Sequence, residues 1–329
     1  MTFSVGLGLT NACNLRCPHC YRLEAGLDQL TLEQVKQVCE SIPVKSLNLG
    51  VGENGLHPDF HAILDYLAQR GIKTSITSNG LSLQLLSDAE VKRFHSVELS
   101  LDFPTEREHD AFRGEGNWRM VMSGAERMAS LGLKATITSV MMSINYRQLP
   151  RLAQVAATFD ANLRVNVYQP SHTDQFTLSY DQFWSGFQQL LGSSRLVATT
   201  EPVLAAVLGV DGFAGPACGR STIRVTPDGL ILPCTYWPKS RLTLDDLSRL
   251  RERITETEEF LEARLIPRAC QGCPCGGGCA GRRVLAGLHD PDPYCPFARG
   301  NKIAIDWERT GAEDLPKAGS ACTTIVSAR

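Results

Sequence analysis

No run of apolar residues in this chain approaches the roughly 18 needed to cross a bilayer as a helix, so a helical membrane span is excluded. Blocks of like charge are also missing: 33 Lys and Arg stand against 35 Asp and Glu, net −2, which leaves no basic footprint for nucleic acid. The N-terminus lacks the pattern of a secretory signal, since ligand-type residues already begin at Cys13. What the chain has in quantity is cysteine, twelve residues. In a small secreted protein these would suggest disulfides. In 329 residues, grouped towards the two ends, they read as metal ligands in a reducing compartment, and the expected location is the cytoplasm. With 43% hydrophobic residues the chain can build a sizeable core, at a length typical of about two domains.

Cys13, Cys17 and Cys20 follow an apolar stretch in the spacing Cys-x3-Cys-x2-Cys. Three thiolates from one short loop can hold three corners of a 4Fe–4S cluster, leaving one iron free to chelate a small molecule. A zinc loop is the alternative, but structural zinc wants four Cys or His ligands. His19 sits between two of the cysteines and cannot easily face the same metal.

The first half alternates strand and helix patterns. Strands are expected over 3–10, 44–51, 72–78, 97–101, 133–142 and 163–168, with helices over 59–69, 88–94, 118–130 and 149–159. Thr31 with Gln34 makes a capping box for a further helix carrying Val35 and Val38. Such alternation implies a parallel sheet with right-handed crossovers, and six units predict a partial (β/α)6 TIM-like barrel.

In such a barrel, ligand-binding groups collect at the C-terminal strand ends. The cysteine loop follows strand one; Gly52 and Glu53 follow strand two; Ser78 and Asn79 end strand three; Ser100 and Asp102 end strand four. Arg113 is expected on the loop after strand four, where it can pair with a carboxylate. Tyr21, after the last cysteine, can face an adenine or simply pack. Each has an ordinary alternative as turn chemistry or helix cap. His57, His61 and His172 carry no ligand signal and read as surface or core residues.

These motifs resemble the radical S-adenosylmethionine (SAM) superfamily over residues 3 to 170. The resemblance implies a 4Fe–4S cluster on Cys13, Cys17 and Cys20, and SAM held by Tyr21, Gly52, Glu53, Ser78, Asn79, Ser100, Asp102 and Arg113. It also implies cleavage of SAM to a 5′-deoxyadenosyl radical. Glu53 falls in the family's Gly-Gly-Glu motif, although Val51 replaces its first Gly and Asn54 the following Pro.

Downstream, one helix is expected over 180–191, a hairpin turn at Thr226–Gly229, and a charged helical stretch over 244–263. Seven cysteines fall within 78 residues: Cys218, Cys234, Cys270, Cys273, Cys275, Cys279 and Cys295. This group resembles a SPASM domain, the auxiliary-cluster extension of peptide-modifying radical SAM enzymes. The resemblance assigns Cys270, Cys273, Cys279 and Cys295 to an outer cluster. Arg283 stands where a further cysteine is usual, and Cys275 is extra. Cys218, Cys234 and Cys275 are then expected either to hold a second, open cluster or to be partly free; structural zinc is the alternative for the region. Cys39 is expected in the core, and Cys322 as a free thiol in a polar tail. The expected organisation is barrel 1–170, connector 171–215, cysteine-rich auxiliary domain 216–300 and tail 301–329.

The stretches 48–58 and 164–170 resemble maturases of peptides with nitrile-hydratase-type leaders, including spliceases that excise a tyrosine-derived tyramine unit and leave an α-keto-β-amino acid. With the cluster loop starting at Cys13, a separate leader-binding partner protein is expected, together with a precursor peptide and an electron donor. Alternative functions are a thioether or carbon–carbon crosslinking maturase, a small-molecule oxidase or decarboxylase, and a non-catalytic iron–sulfur carrier. No catalytic acid or base can be named from the sequence.

Overall fold

The computed structural model describes residues 1–22, 26–211, 213, 215–216, 218–238, 240–310 and 322–329. Residues 311–321 of the expected tail lie outside this set. Six strands, β1 (Phe3–Leu7), β2 (Val44–Leu49), β3 (Lys73–Ser78), β4 (Ser96–Ser100), β5 (Ala135–Met141) and β6 (Asn162–Val167), lie side by side in chain order, all parallel. Four more strands extend this run at its edges: β7 (Ser194–Thr199), β8 (Thr222–Val225), β9 (Ile231–Leu232) and β10 (Thr323–Ala328). The full order is β7-β10-β6-β5-β4-β3-β2-β1-β8-β9, and the sheet is not closed. The expected partial barrel is therefore an open curl of α/β units whose first-half strands match the sequence pattern to within a few residues.

The strands follow a period of two. Val5, Leu47, Leu49, Ile76, Val97, Leu99, Ile137, Leu163 and Val165 are buried in the core that the outer helices cover. Their neighbours Gly6, Asn48, Thr77, Glu98, Thr138, Arg164 and Asn166 point the other way and line a cavity. Strands covered on both faces by helices are usually apolar throughout, so this alternation marks an inner face built for polar contents. Glu98 and Arg164 form an ion pair on that face; Thr77 Oγ1 donates to Glu98 at 2.8 Å, and Arg164 Nε to Thr323 Oγ1 at 3.1 Å.

Helix Leu32–Ser41 starts at the expected box: Thr31 Oγ1 accepts from Gln34 N, and Gln34 Oε1 accepts from Thr31 N. Helix Phe60–Gln69 buries Phe60, Ile63, Leu64 and Leu67. Each fully buried side chain of this size contributes about 1.5–3 kcal/mol. The sequence pattern for 244–263 predicts one helix, but the structure breaks it into Leu244–Leu250, a 3₁₀ segment Arg251–Glu256 and Glu258–Ala263. Thr257 is extended there, so the helical path cannot run through. Arg113 is not on a loop: it ends helix Glu106–Arg113, capped by Thr105. The tail ends in a strand, for β10 pairs antiparallel with both β6 and β7. No helix among the described residues is long and apolar enough to cross a membrane.

A buried ion cluster fastens the cysteine-rich segment to the sheet. Arg282 contacts Glu201, at the head of helix Pro202–Leu208, at 2.5 Å and Asp292 at 2.7 Å, all three almost fully buried. Removing the cation leaves two carboxylates desolvated and unpaired, which is far costlier than the pair is stabilising. Arg282→Ala is therefore expected to destabilise the protein by about 3–5 kcal/mol, read as a lowered urea midpoint. A variant that unfolds at the wild-type midpoint would show that the cluster is not what holds this junction.

Candidate active site

The cavity lies at the C-terminal ends of β1–β6 and has a volume of about 250 Å³. Cys13, Cys17 and Cys20 line it from the loop after β1, each half-buried. A turn closed by Cys20 N donating to Cys17 O at 3.0 Å shapes that loop. Burial pushes the Cys17 thiol up to about 11, against the nearby Arg113, and burial also raises Cys13. Thiols that resist ionisation in isolation, grouped on one wall, suit a metal that supplies the missing positive charge. This donor set fits a 4Fe–4S cluster with one iron left open to a small molecule.

The loop after β2 packs directly on the cysteine loop. Gly52 has φ +63°, and a Cβ there would overlap the carbonyls of Thr10 and Ala12, so only glycine permits the approach. Next to it, Glu53 N donates to Ala12 O at 2.7 Å. The Glu53 carboxylate is 1% exposed and accepts from Ser78 Oγ at 2.5 Å, Asn79 N at 2.9 Å, Ser82 N at 2.8 Å and Ser82 Oγ. It thus joins the ends of β2 and β3. Asn79 Nδ2 reaches Asn14 Oδ1 at 2.8 Å and Cys13 Sγ at 3.7 Å.

Of the residues singled out from sequence, Tyr21, Gly52, Glu53, Ser78, Asn79, Ser100 and Arg113 all line the cavity. Tyr21 donates to Gly50 O at 3.2 Å and meets Tyr236 edge-on, and burial pushes it up to about 12. Asp102 does not line the cavity; it lies beneath Arg113, whose Nε contacts its Oδ2 at 2.7 Å. Burial opposes ionisation of Asp102, but Arg113, His19 and the Val140 amide outweigh it and hold the group at about 2. His19 stacks on Phe112 and faces Asp102 at 3.4 Å, away from any role as a fourth zinc ligand. His57 is buried against Leu30 O, His61 pairs with Glu90, and His172 contacts Tyr21 O.

The downstream thiols group differently from the sequence expectation. Cys273, Cys275 and Cys295 have sulfurs all within 4.8 Å of one another, with Cys275 at 3.2 Å from Cys273 and 3.5 Å from Cys295. Cys270 joins them through the turn in which Cys273 N donates to Cys270 O, and its thiol feels both Cys295 and Cys273. Cys275 is thus a member of the outer set, and Cys279 is not. Cys279 lines the main cavity with Cys218, Cys234 and Cys322. The three-residue gap expected between Cys279 and position 283 is the one between Cys275 and Cys279. Arg283 is a structural residue, 1% exposed, donating to Leu265 O and Leu288 O at 2.8 Å. Cys322 is a free thiol, as expected, but it does not stand apart in a tail: it lines the cavity with its sulfur 3.5 Å from that of Cys279.

Sequence reasoning missed Arg224, Thr138, Asn166 and Gln169. Arg224 comes from β8, directly paired with Gly6 of β1, and lies across it where any Cβ would overlap the guanidinium. Its Nε, Thr138 Oγ1, Asn166 Oδ1 and Gln169 Oε1 are buried without a hydrogen-bond partner, and all four residues line the cavity. Orphaned polar atoms are rare in a finished core and mark a surface shaped for a polar ligand. The one readable signal was the polar alternation along the strands.

Residues 7–156 match the sequence profile of the Radical SAM superfamily. The mycofactocin maturase MftC of Mycobacterium tuberculosis is 28% identical over 319 residues, an alignment spanning 87% of this chain and 81% of that protein. The fold is similar to Streptococcus suis SuiB bound to S-adenosylmethionine, with TM-score 0.64, 14% identity and coverage of 96% of this chain and 78% of that one. It is likewise similar to anSMEcpe with bound AdoMet, with TM-score 0.70, 17% identity and coverage of 91% and 92%.

Two tests follow from the geometry. Gly52→Ala is expected to push the cysteine loop off its seat, costing about 1–3 kcal/mol and lowering the iron bound on reconstitution; unchanged iron and stability would refute the packing argument. The second concerns His109, which is fully buried, accepts from Asp102 N at Nδ1 and faces Asn117 Oδ1 at Nε2. Burial, then Arg113, lowers it to about 4. The unfolded chain therefore binds this proton first, so stability falls as pH drops from about 6.5 towards 4. Between pH 7.5 and 4.5 the wild type is expected to lose about 2 kcal/mol more than His109→Gln in urea unfolding. Parallel pH profiles for the two proteins would contradict the assignment.

Proposed function

From the premise that this chain is an enzyme of the radical SAM superfamily, we propose that it is a maturase of a ribosomally synthesised precursor peptide. The observation that carries this reading is that one cavity is lined both by Cys13, Cys17 and Cys20 and by Cys218, Cys234 and Cys279. The likeness to the maturase MftC supports it, running through that segment, as does a second likeness to SuiB bound to precursor peptide SuiA, with TM-score 0.62 and 16% identity. The finer reading is excision of a tyrosine-derived tyramine unit to leave an α-keto-β-amino acid. Its support is the resemblance of residues 48–58 and 164–170 to spliceases acting on nitrile-hydratase-type leaders.

The family binds a 4Fe–4S cluster and SAM, which together supply one-electron cleavage of a C–S bond and hydrogen-atom abstraction. In this chain Cys13, Cys17 and Cys20 would hold the cluster. Tyr21, Gly52, Glu53, Ser78, Asn79, Ser100 and Arg113 would hold SAM around it, and Asp102 would act by fixing Arg113. Thr138, Asn166, Gln169 and Arg224 offer unpaired donors and acceptors for the remaining polar ligand atoms. A leader-binding partner protein and an external reductant complete the proposed system.

The test is anaerobic incubation of reconstituted enzyme with SAM, reductant, precursor and partner, read by mass spectrometry. Wild type is expected to release 5′-deoxyadenosine and shorten the peptide by one tyramine unit, while Cys17→Ala does neither. A loss of two hydrogens instead would replace splicing by crosslinking within the same peptide-maturase reading. SAM cleavage with every peptide unmodified, but with a small molecule consumed, would overturn the peptide reading.

A further inference from the structure

We propose that Cys322 is the fourth thiolate ligand of an inner auxiliary iron–sulfur cluster, with Cys218, Cys234 and Cys279, so that this cluster exposes no iron to substrate. The inference concerns ligation at a second site and goes beyond the peptide-maturase reading.

Four thiols meet on one wall of the cavity. Cys322 Sγ lies 3.5 Å from Cys279 Sγ, and Cys218 and Cys234 line the same cavity beside them. Cys218, Cys234 and Cys279 are each at most 5% exposed. With Cys322 they run from residue 218 to residue 322, so their convergence is a product of the fold and not of a local turn.

The position of Cys322 is set by the strand that follows it. β10 is inserted between β6 and β7, with Thr323 opposite Asn166 and Thr324 opposite Thr199. Thr200 N donates to Thr323 O at 2.8 Å, Thr323 Oγ1 donates to Val165 O at 3.2 Å, and Arg164 Nε donates to Thr323 Oγ1. A residue one step before so well-anchored a threonine is delivered to the cavity mouth. The outer set is separate from it: Cys273, Cys275 and Cys295 have sulfurs within 4.8 Å of one another, and Cys270 sits in the turn closed by Cys273 N donating to Cys270 O.

Four cysteine thiolates complete the ligation of a 4Fe–4S cluster, whereas three leave an iron open. On ligation each thiol gives its proton to solvent and its sulfur bonds iron, with no change of oxidation state in the cysteine. A closed cluster can pass electrons but cannot chelate a substrate. Cys322 thus decides between an electron relay and a binding site, and it ties the C-terminal strand to the metal.

The test uses the full-length chain carrying Cys13→Ala, Cys17→Ala and Cys20→Ala, so that iron reports the auxiliary sites alone and neither SAM nor peptide enters the readout. After anaerobic reconstitution and reduction, the parent is expected to give an electron paramagnetic resonance spectrum that added cyanide does not alter. Adding Cys322→Ala is expected to make the spectrum cyanide-sensitive, or to lower bound iron about two-fold with far-ultraviolet circular dichroism retained. Identical iron content and spectra with and without Cys322, or a parent already sensitive to cyanide, would overturn the proposal. Alkylation of the parent with iodoacetamide, mapped by mass spectrometry, decides the matter even where the variant does not fold. Protection of Cys322 that disappears on iron removal supports ligation; equal labelling before and after removal refutes it.

Discussion

A thiolate held out of water needs a positive partner, and the arrangement of this protein depends on that requirement. Burial, more than any other influence, pushes Cys17 up to about 11 against Arg113, and raises Cys13 against the Leu15 backbone amide and Arg22. Thiols in such a setting are inert until a metal supplies charge. The fold brings them together around a cavity whose floor is the polar face of a sheet, and it keeps the apolar face for the helices. Protein packing and metal chemistry are thereby assigned to opposite sides of the same strands.

The cavity wall is stiff because each loop leans on its neighbour. Gly52 lets the second strand's loop touch the first strand's loop, and Glu53 fastens the second to the third. Asn79 reaches back to Asn14 in the cysteine loop. On the far side Asp102 takes Arg113, His19 and the Val140 amide, and its own amide donates to His109. The Glu53 contacts are buried and those of Asp102 wholly or partly so, which makes them expensive to break, and the group behaves as one positioning frame.

Two sets of cysteines serve different geometry. Cys273, Cys275 and Cys295 form a compact set with Cys270 in the adjoining turn, and most of it is local in sequence. The other set, Cys218, Cys234, Cys279 and Cys322, looks into the same cavity as Cys13, Cys17 and Cys20. The buried cluster of Arg282, Glu201 and Asp292 holds the cysteine-rich segment in that orientation. One chamber is thus walled by sulfur from the start, the middle and the end of the chain, with orphaned polar atoms between.

Local spacing carried much of this in readable form. Ligands two and three residues apart stay near one another whatever the rest of the chain does, so Cys13, Cys17 and Cys20 could be grouped from sequence. The same holds for the capping box of Thr31 and Gln34, and for strand–helix alternation, which depends only on side-chain period. Arg113 was placed on a loop because helix Glu106–Arg113 has almost no apolar stripe, burying only His109. Choosing between Cys275 and Cys279 was beyond spacing, since the segment is a run of turns through Gly276, Gly277 and Gly278 whose path decides which thiol faces Cys273. Only the tertiary structure turned the short run Thr323–Ala328 into a strand between β6 and β7. A hydrogen bond between Arg164 and Thr323, 159 residues apart, anchors the strand that places Cys322 against Cys279, and no local propensity encodes a pairing that remote.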